Sequence, residues 1–437
     1  MTRRPQKELV TYKACHYKSA ERLLSSAATE RINSEIMKNS KPIYSNIKYI
    51  YPPKKYAFLL HEPMMLNHYE NVWKAMGNSE FAIVLTESFY IDENGDEKEG
   101  IPSFFNHIRQ EKLQVFDIQN IINSGIFFDY VITNHPISGT TKSLKKITKQ
   151  DIFKKLLNRI MIASGRKPLW QYNIDIESLL PLQIGRKQIR YMYGADLSDA
   201  WSLMDWNEIY DIFLCHGVND ERIVKERFPG KTFIMGYPRY DDYFDTKIDF
   251  SNIKNEFDVS DQKKTLLWMP TLGGSGSSIP VYAKLIADLN VEFNVIVRPH
   301  PLSFVQEKDF ISELEKNNFK IDRNSTRNMN ELFGMADLIM ADYGGTPFSS
   351  IFLGKNIIFL DVPGADSIPM NVDSSVLELK KHLPVFTPNN IHDLPKFLSS
   401  QIFWEDNQNS IDHLFEKYFG STRGGGSARV ARYLKSL

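Results

Sequence analysis

The sequence predicts an α/β protein of two doubly wound, Rossmann-like domains, and three observations lead there. Short β-branched or aromatic runs alternate with longer polar-apolar segments along most of the chain, the pattern of parallel sheets with helical crossovers. Several of these runs end in polar or glycine-rich residues, at the strand ends where doubly wound sheets place ligands. The chain is 437 residues long, more than one core usually supports, so two domains are the default.

Residues 1–50 carry ten Lys or Arg against four Glu and read as a basic helical lead-in. The first domain, 51–250, opens with the strand YAFLLH from Tyr56, followed by Glu62 and the helix-like segment NHYENVWKAM. A second strand is FAIVLT (81–86), and a third, FDYVIT, ends at Thr133 before Asn134, His135 and Pro136. His61, Glu62 and His135 are therefore acceptor-side candidates at strand ends. The segment 142–167 holds nine Lys or Arg against the single Asp151, while Ile152, Phe153, Leu156, Leu157, Ile160 and Met161 recur at helical spacing. It reads as a packed helix with a solvated basic face, or alternatively as a helix that contacts an anionic membrane surface.

Strand signals resume with QIRYMYG (188–194), YDIFLCHG (210–217) and KTFIMG from Lys231. The polar stretch DTKIDFSNIKNEFDVSDQKK (245–264) places the linker near residue 250. The second domain, 251–437, repeats the βα alternation: TLLWMP, a Gly/Ser loop, FNVIVRPHP, FKI, NELFGM, DLIMAD, YGGTPFSSIFLG and NIIFLD. Two such domains facing across a cleft form the GT-B arrangement.

Composition narrows the function classes. Lys plus Arg equals Asp plus Glu at 53 each, so there is no bulk field to collect nucleic acid. Cys15 and Cys215 are too few for a disulfide framework or a four-cysteine zinc site, which predicts a cytoplasmic protein. No apolar run reaches the roughly 18 residues a membrane span needs, and the N-terminus lacks a signal-peptide core. Peripheral attachment at the inner face of the membrane, through 142–167, is the alternative location. Asp175 and Glu177 in NIDIE imitate an acidic metal motif but follow no strong strand, so no metal site is expected.

Four blocks put polar groups just past a strand. Thr271, Gly273, Gly274 and Ser275, continuing through Gly276, Ser277 and Ser278, follow TLLWMP, and such a loop can expose N–H groups to phosphate or be a mobile surface turn. Arg298, Pro299, His300 and Pro301 close the strand NVIV, where two prolines restrict the histidine beside a permanent charge. Asp342, Tyr343, Gly344, Gly345 and Thr346 follow DLIM, with glycines that permit close backbone approach and Pro347 suited to a first helical turn. Arg239 and Asp241 in GYPRYDDYF are free to face the cleft.

The order GYPRYD, LLWMPT, VIVRPHP, ADLIMADYGGTPFSSIFLGKNIIFLD and GGGSARVARYL resembles the C-terminal half of CDP-glycerol glycerophosphotransferases, over roughly residues 188 to 435. The resemblance implies a GT-B transferase and a cytidine-nucleotide donor, CDP- or CMP-linked, with no further cofactor. It implies that His300, Pro301 and Asp342 through Thr346 hold the nucleotide and its phosphates, and that a hydroxyl of a glycan or lipid-linked polymer accepts the group. Two departures stand out. Gly344 and Gly345 replace a Ser-Ser pair, and Tyr191, Met192, Tyr193, Gly194 stand where the family has Trp-His-Gly with a proposed catalytic base. Asp196 is the nearest replacement base, His61 a second, and His216 a third that the resemblance does not favour. The alternatives are a uridine-nucleotide GT-B transferase or epimerase and a non-catalytic nucleotide- or glycan-binding relative.

Overall fold

The computed structural model describes residues 54–60, 65–77, 80–86, 89–91, 97–99, 115–123, 125–134, 179–200, 202–245, 248–324 and 327–437. His61, Glu62, His135, Cys15, Asp175, Glu177, the lead-in 1–50 and the basic segment 142–167 lie outside the described residues.

The first half supplies β1 (Tyr56–Leu60), β2 (Phe81–Leu85), β3 (Phe89–Ile91), β4 (Glu97–Glu99), β5 (Val115–Asp117), β6 (Phe128–Thr133), β7 (Gly185–Tyr191), β8 (Ile212–Cys215) and β9 (Lys231–Ile234). Seven of these form one parallel sheet in the order β5-β2-β1-β6-β7-β8-β9, and β3 and β4 pair separately as an antiparallel ribbon. The apolar run YAFLL is buried along its whole length, as a strand covered on both faces must be. Its side chains alternate between two cores: Tyr56, Phe58 and Leu60 enter one, Ala57 and Leu59 the other. The three-residue β5 escapes the sequence pattern because so short a run shows no period.

The second half supplies β10 (Thr265–Met269), β11 (Asn294–Val297), β12 (Lys320–Ile321), β13 (Leu338–Ala341), β14 (Ile357–Leu360) and β15 (Val385–Phe386). They form a second parallel sheet in the order β12-β11-β10-β13-β14-β15. The chain runs outward from β10 in one direction to β11 and in the other to β13, so the topological switch point lies between β10 and β13. Two doubly wound sheets, each with its own core, make this a GT-B fold. Among the described residues no helix is long and apolar enough to cross a membrane.

The end of the chain departs from the expected division at residue 250. The last helix, Gly426–Ser436, buries Val430, Ala431 and Leu434 in the core of the first sheet, and Tyr433 stacks on Phe233 with ring centroids 4.0 Å apart. Gly424 and Gly425 turn the chain toward it with φ of +71° and +64°, values that favour glycine. The carboxylate of Asp241 accepts from Gly426 N–H at 3.0 Å and Ser427 N–H at 2.6 Å. Asp241 therefore does not face the cleft as the sequence suggested. It caps a helix some 185 residues away in sequence, offsetting the orphan N–H groups of the first turn.

Candidate active site

The register of the second sheet brings three of the four sequence blocks together. Trp268 pairs with Val297 and Met269 with Ala341, so the residues after β10, β11 and β13 emerge side by side at one edge. Asp342, wholly buried, ties two of these loops: its Oδ1 accepts from Thr271 N–H at 2.8 Å and its Oδ2 from Ser278 N–H at 2.7 Å. Burial pushes its pKa up to about 7 against the lowering effect of these bonds. Its carboxylate shapes the site and is spent on backbone, not presented to a ligand.

The loop after β10 is braced, which the sequence alone left undecided. Gly273 N–H donates to Glu307, whose other oxygen accepts from Ser303 Oγ at 2.7 Å. Ser275 N–H and Gly276 N–H close turns onto Leu272 and Gly273, and Asn371 holds the Ser275 carbonyl at 2.7 Å. The N–H groups of Thr271, Gly273, Ser275, Gly276 and Ser278 are thus all engaged within the fold. Gly274 is the exception, exposed and with nothing within 4 Å of an added Cβ, so an anion that approached the loop there would leave the ties to Glu307 and Asp342 in place.

The loop after β13 is the opposite case. Gly344 adopts φ +91°, and at Gly345, whose backbone is ordinary helical, an added Cβ would meet nothing within 4 Å. The helix Thr346–Leu353 begins there without a side-chain cap and with Pro347, which has no N–H, in its first turn, so the N–H groups of Gly345 and Thr346 are the ones this end can offer, with the positive end of the helix dipole behind them. Tyr343 turns away from this opening, its hydroxyl donating to Asp366 beside Lys380, which bridges Asp361 at 2.6 Å and Asp366 at 2.9 Å.

His300 stands half-buried after β11 and accepts at Nδ1 from Leu302 N–H at 3.2 Å. That bond assigns the ring proton to Nε2. Burial, aided by the nearby Arg298, pulls its pKa down to about 4. The imidazole is accordingly a neutral hydrogen-bond donor near pH 7. Pro301 follows it in the turn, partly exposed. Arg298 is buried and committed: it bridges Asp322 at 2.8 Å, and Asp322 also bridges Arg327 at 3.0 Å. Its charge is largely neutralised within the fold.

On the opposing side of the cleft, Asp196 lies after β7 and reaches the second domain. Its Oδ1 accepts from Ser374 Oγ at 2.6 Å, Ser375 Oγ at 3.1 Å and Val376 N–H at 3.3 Å. Burial pushes its pKa up to about 6, outweighing those bonds. His216 is buried, with Nδ1 3.1 Å from Asp220 Oδ2 and its Nε2 without a partner. Arg239 sits near His68, Nη1 to Nε2 at 3.3 Å, and over the ring of Tyr240 at 4.9 Å. His68 was missed by sequence reasoning because a lone histidine on the buried face of Leu66–Met76 looks like core.

Comparisons with known proteins bear on the family and the fold. The family model for CDP-Glycerol:Poly(glycerophosphate) glycerophosphotransferase matches residues 184–436, more than half of the chain. The teichoic acid glycerol-phosphate primase of Bacillus spizizenii is 30% identical over 144 residues, 31% of this chain and 36% of that protein. The teichoic acid poly(ribitol-phosphate) polymerase of the same organism is 29% identical over 143 residues, 30% of this chain and 23% of that protein. The aligned stretches thus span well under two thirds of these relatives' lengths. In fold, the chain is similar to the wall teichoic acid polymerase TagF, with a TM-score of 0.55 at 13% identity over 94% of this chain and 93% of that one. It also resembles the UDP-GlcNAc 2-epimerase from Neisseria meningitidis bound to UDP-GlcNAc, with a TM-score of 0.51 at 12% identity over 87% of this chain and 100% of that one. With its motifs in order along 184–436, the chain belongs to the CDP-glycerol:poly(glycerophosphate) glycerophosphotransferase family.

Proposed function

We infer that the protein transfers glycerol phosphate, or a related group, from a CDP-linked donor to a hydroxyl of a wall or surface-glycan polymer. The observation that carries this reading is the uncapped start of Thr346–Leu353 at Gly344 and Gly345, beside the switch point and on the same sheet edge as His300. Helix N–H groups and a neutral imidazole donor suit the phosphates of a nucleotide. The names of the relatives, a primase and a polymerase of phosphate-linked polymers, support the same class.

In this mechanism the acceptor hydroxyl attacks the glycerol-bearing phosphorus. A new phosphorus–oxygen bond forms as the bond to the bridging oxygen breaks, and CMP leaves with that electron pair. His300 Nε2–H and the N–H groups at Gly345 and Thr346 receive the charge growing on the leaving phosphate. Asp196 is the residue proposed to take the hydroxyl proton, since a carboxylate titrating at about 6 is ionised at neutral pH and still basic enough to help.

Gly345→Val provides the direct test of donor binding. The side chain enters open space and the backbone tolerates it, so the melting temperature should stay within about 2 °C of the parent. Equilibrium binding of CMP, which the parent should prefer over UMP, should be lost. A valine variant that binds CMP normally would take the phosphates away from this helix.

The contact of 142–167 with an anionic membrane surface belongs to the same proposal, because a lipid-linked acceptor would hold the enzyme at a bilayer. Sedimentation with phosphatidylglycerol vesicles at low salt is expected, falling clearly when Lys145, Lys146, Lys154 and Lys155 become Gln. Equal binding to neutral vesicles would return the segment to an ordinary solvated face.

A further inference from the structure

Three arginines approach the cleft from the two domains, and the fold treats them differently. Arg298 and Arg327 share Asp322, and Arg327 also meets Glu256. Arg239 forms no ion pair with any described carboxylate. Glu70 and Asp242 line the same recess, yet Glu70 is bridged to Lys74 at 3.1 Å and neither pairs with Arg239. What Arg239 meets instead is the ring of Tyr240 and Nε2 of His68.

A guanidinium has only donors, so His68 Nε2 must be the acceptor and the ring proton must sit on Nδ1. His68 is buried, with Tyr193 stacked on it at 4.7 Å and an angle of 28° between planes. Tyr193 itself is 39% exposed and stands at the position where the family carries Trp-His-Gly. Burial first, then Arg239 and His216, hold the imidazole of His68 well below its ordinary pKa. It therefore stays neutral throughout the working pH range.

A carboxylate in this place would orient Arg239 but cancel its charge. A neutral acceptor orients it and leaves the charge available. We propose that His68 is the positioning residue of a phosphoryl subsite on the first-domain side of the cleft, holding Arg239 so that its charge meets a substrate phosphate. This rests on the reading of the substrates as phosphate-bearing. The phosphate belongs either to the donor diphosphate or to the phosphodiester at the end of the acceptor.

The test compares two nearly isosteric variants, His68→Gln and His68→Glu, with His68→Leu and the parent, in the intact protein. Binding of CDP-glycerol and of a short glycerol-phosphate oligomer is measured by calorimetry, with melting temperature recorded for each. His68→Gln keeps a neutral acceptor and should bind within about threefold of the parent. His68→Glu neutralises Arg239 and should weaken one ligand by about tenfold or more, as should His68→Leu. Weakening confined to CDP-glycerol identifies the donor diphosphate, and weakening confined to the oligomer identifies the acceptor.

Equal affinities of the Gln and Glu variants for both ligands would overturn the proposal, because packing alone does not distinguish an amide from a carboxylate. That contrast survives if His68→Leu fails to fold. A parent protein that binds neither ligand would instead refute the functional reading, and this inference with it.

Discussion

Replacing His300 with alanine should cut CMP release from CDP-glycerol by about 30- to 1000-fold, the equivalent of roughly 2 to 4 kcal/mol of transition-state stabilisation. The loss should fall on kcat more than on KM, because the Nε2–H bond strengthens as charge gathers on the departing phosphate. Turnover within about threefold of the parent would remove His300 from the site. The pH profile separates its role from that of Asp196. His300 titrates at about 4, so it contributes no transition near neutrality. Asp196, pushed up to about 6, must lose its proton to act, so kcat/KM should rise with pH through that value. Asp196→Asn should abolish this rise together with most of the rate. A rise that survives the substitution would assign the base elsewhere.

Asp342→Ala should be the most destabilising single change at the site. It strands the N–H groups of part-buried Thr271 and buried Ser278, each at about 1–3 kcal/mol, so a total of roughly 2–6 kcal/mol is expected. Chemical denaturation should show a lower midpoint with an unchanged slope, and nucleotide binding should weaken because the β10 and β13 loops lose their tie. The pH dependence has a definite sign. The folded pKa, about 7, lies above the model-peptide value of 3.8, so the native state binds this proton more tightly than the unfolded chain. The parent's stability should therefore fall as pH rises from about 4 to 7, a slope the alanine variant lacks. A stability change under about 1 kcal/mol would mean that the loops hold without Asp342.

By itself the sequence determined the fold class and the order of its parts. Runs such as YAFLL and IIFL are apolar throughout because their strands are covered on both faces, and burial of that kind is written locally. The turn blocks were legible for the same reason: His300 between prolines and Gly344-Gly345 before Thr346-Pro347 are signals of backbone geometry that neighbouring residues carry. What each polar group does was decided only by tertiary structure, since a charge is spent or available according to partners far away in sequence. Asp241 is taken by Gly426 and Ser427, Arg298 by Asp322, and Gly273 by Glu307. Arg239 meets a neutral histidine 171 residues earlier and keeps its charge. The final helix crosses to the first domain because Val430 and Leu434 find their apolar partners there, a choice between two cores that a local pattern of apolar residues cannot express.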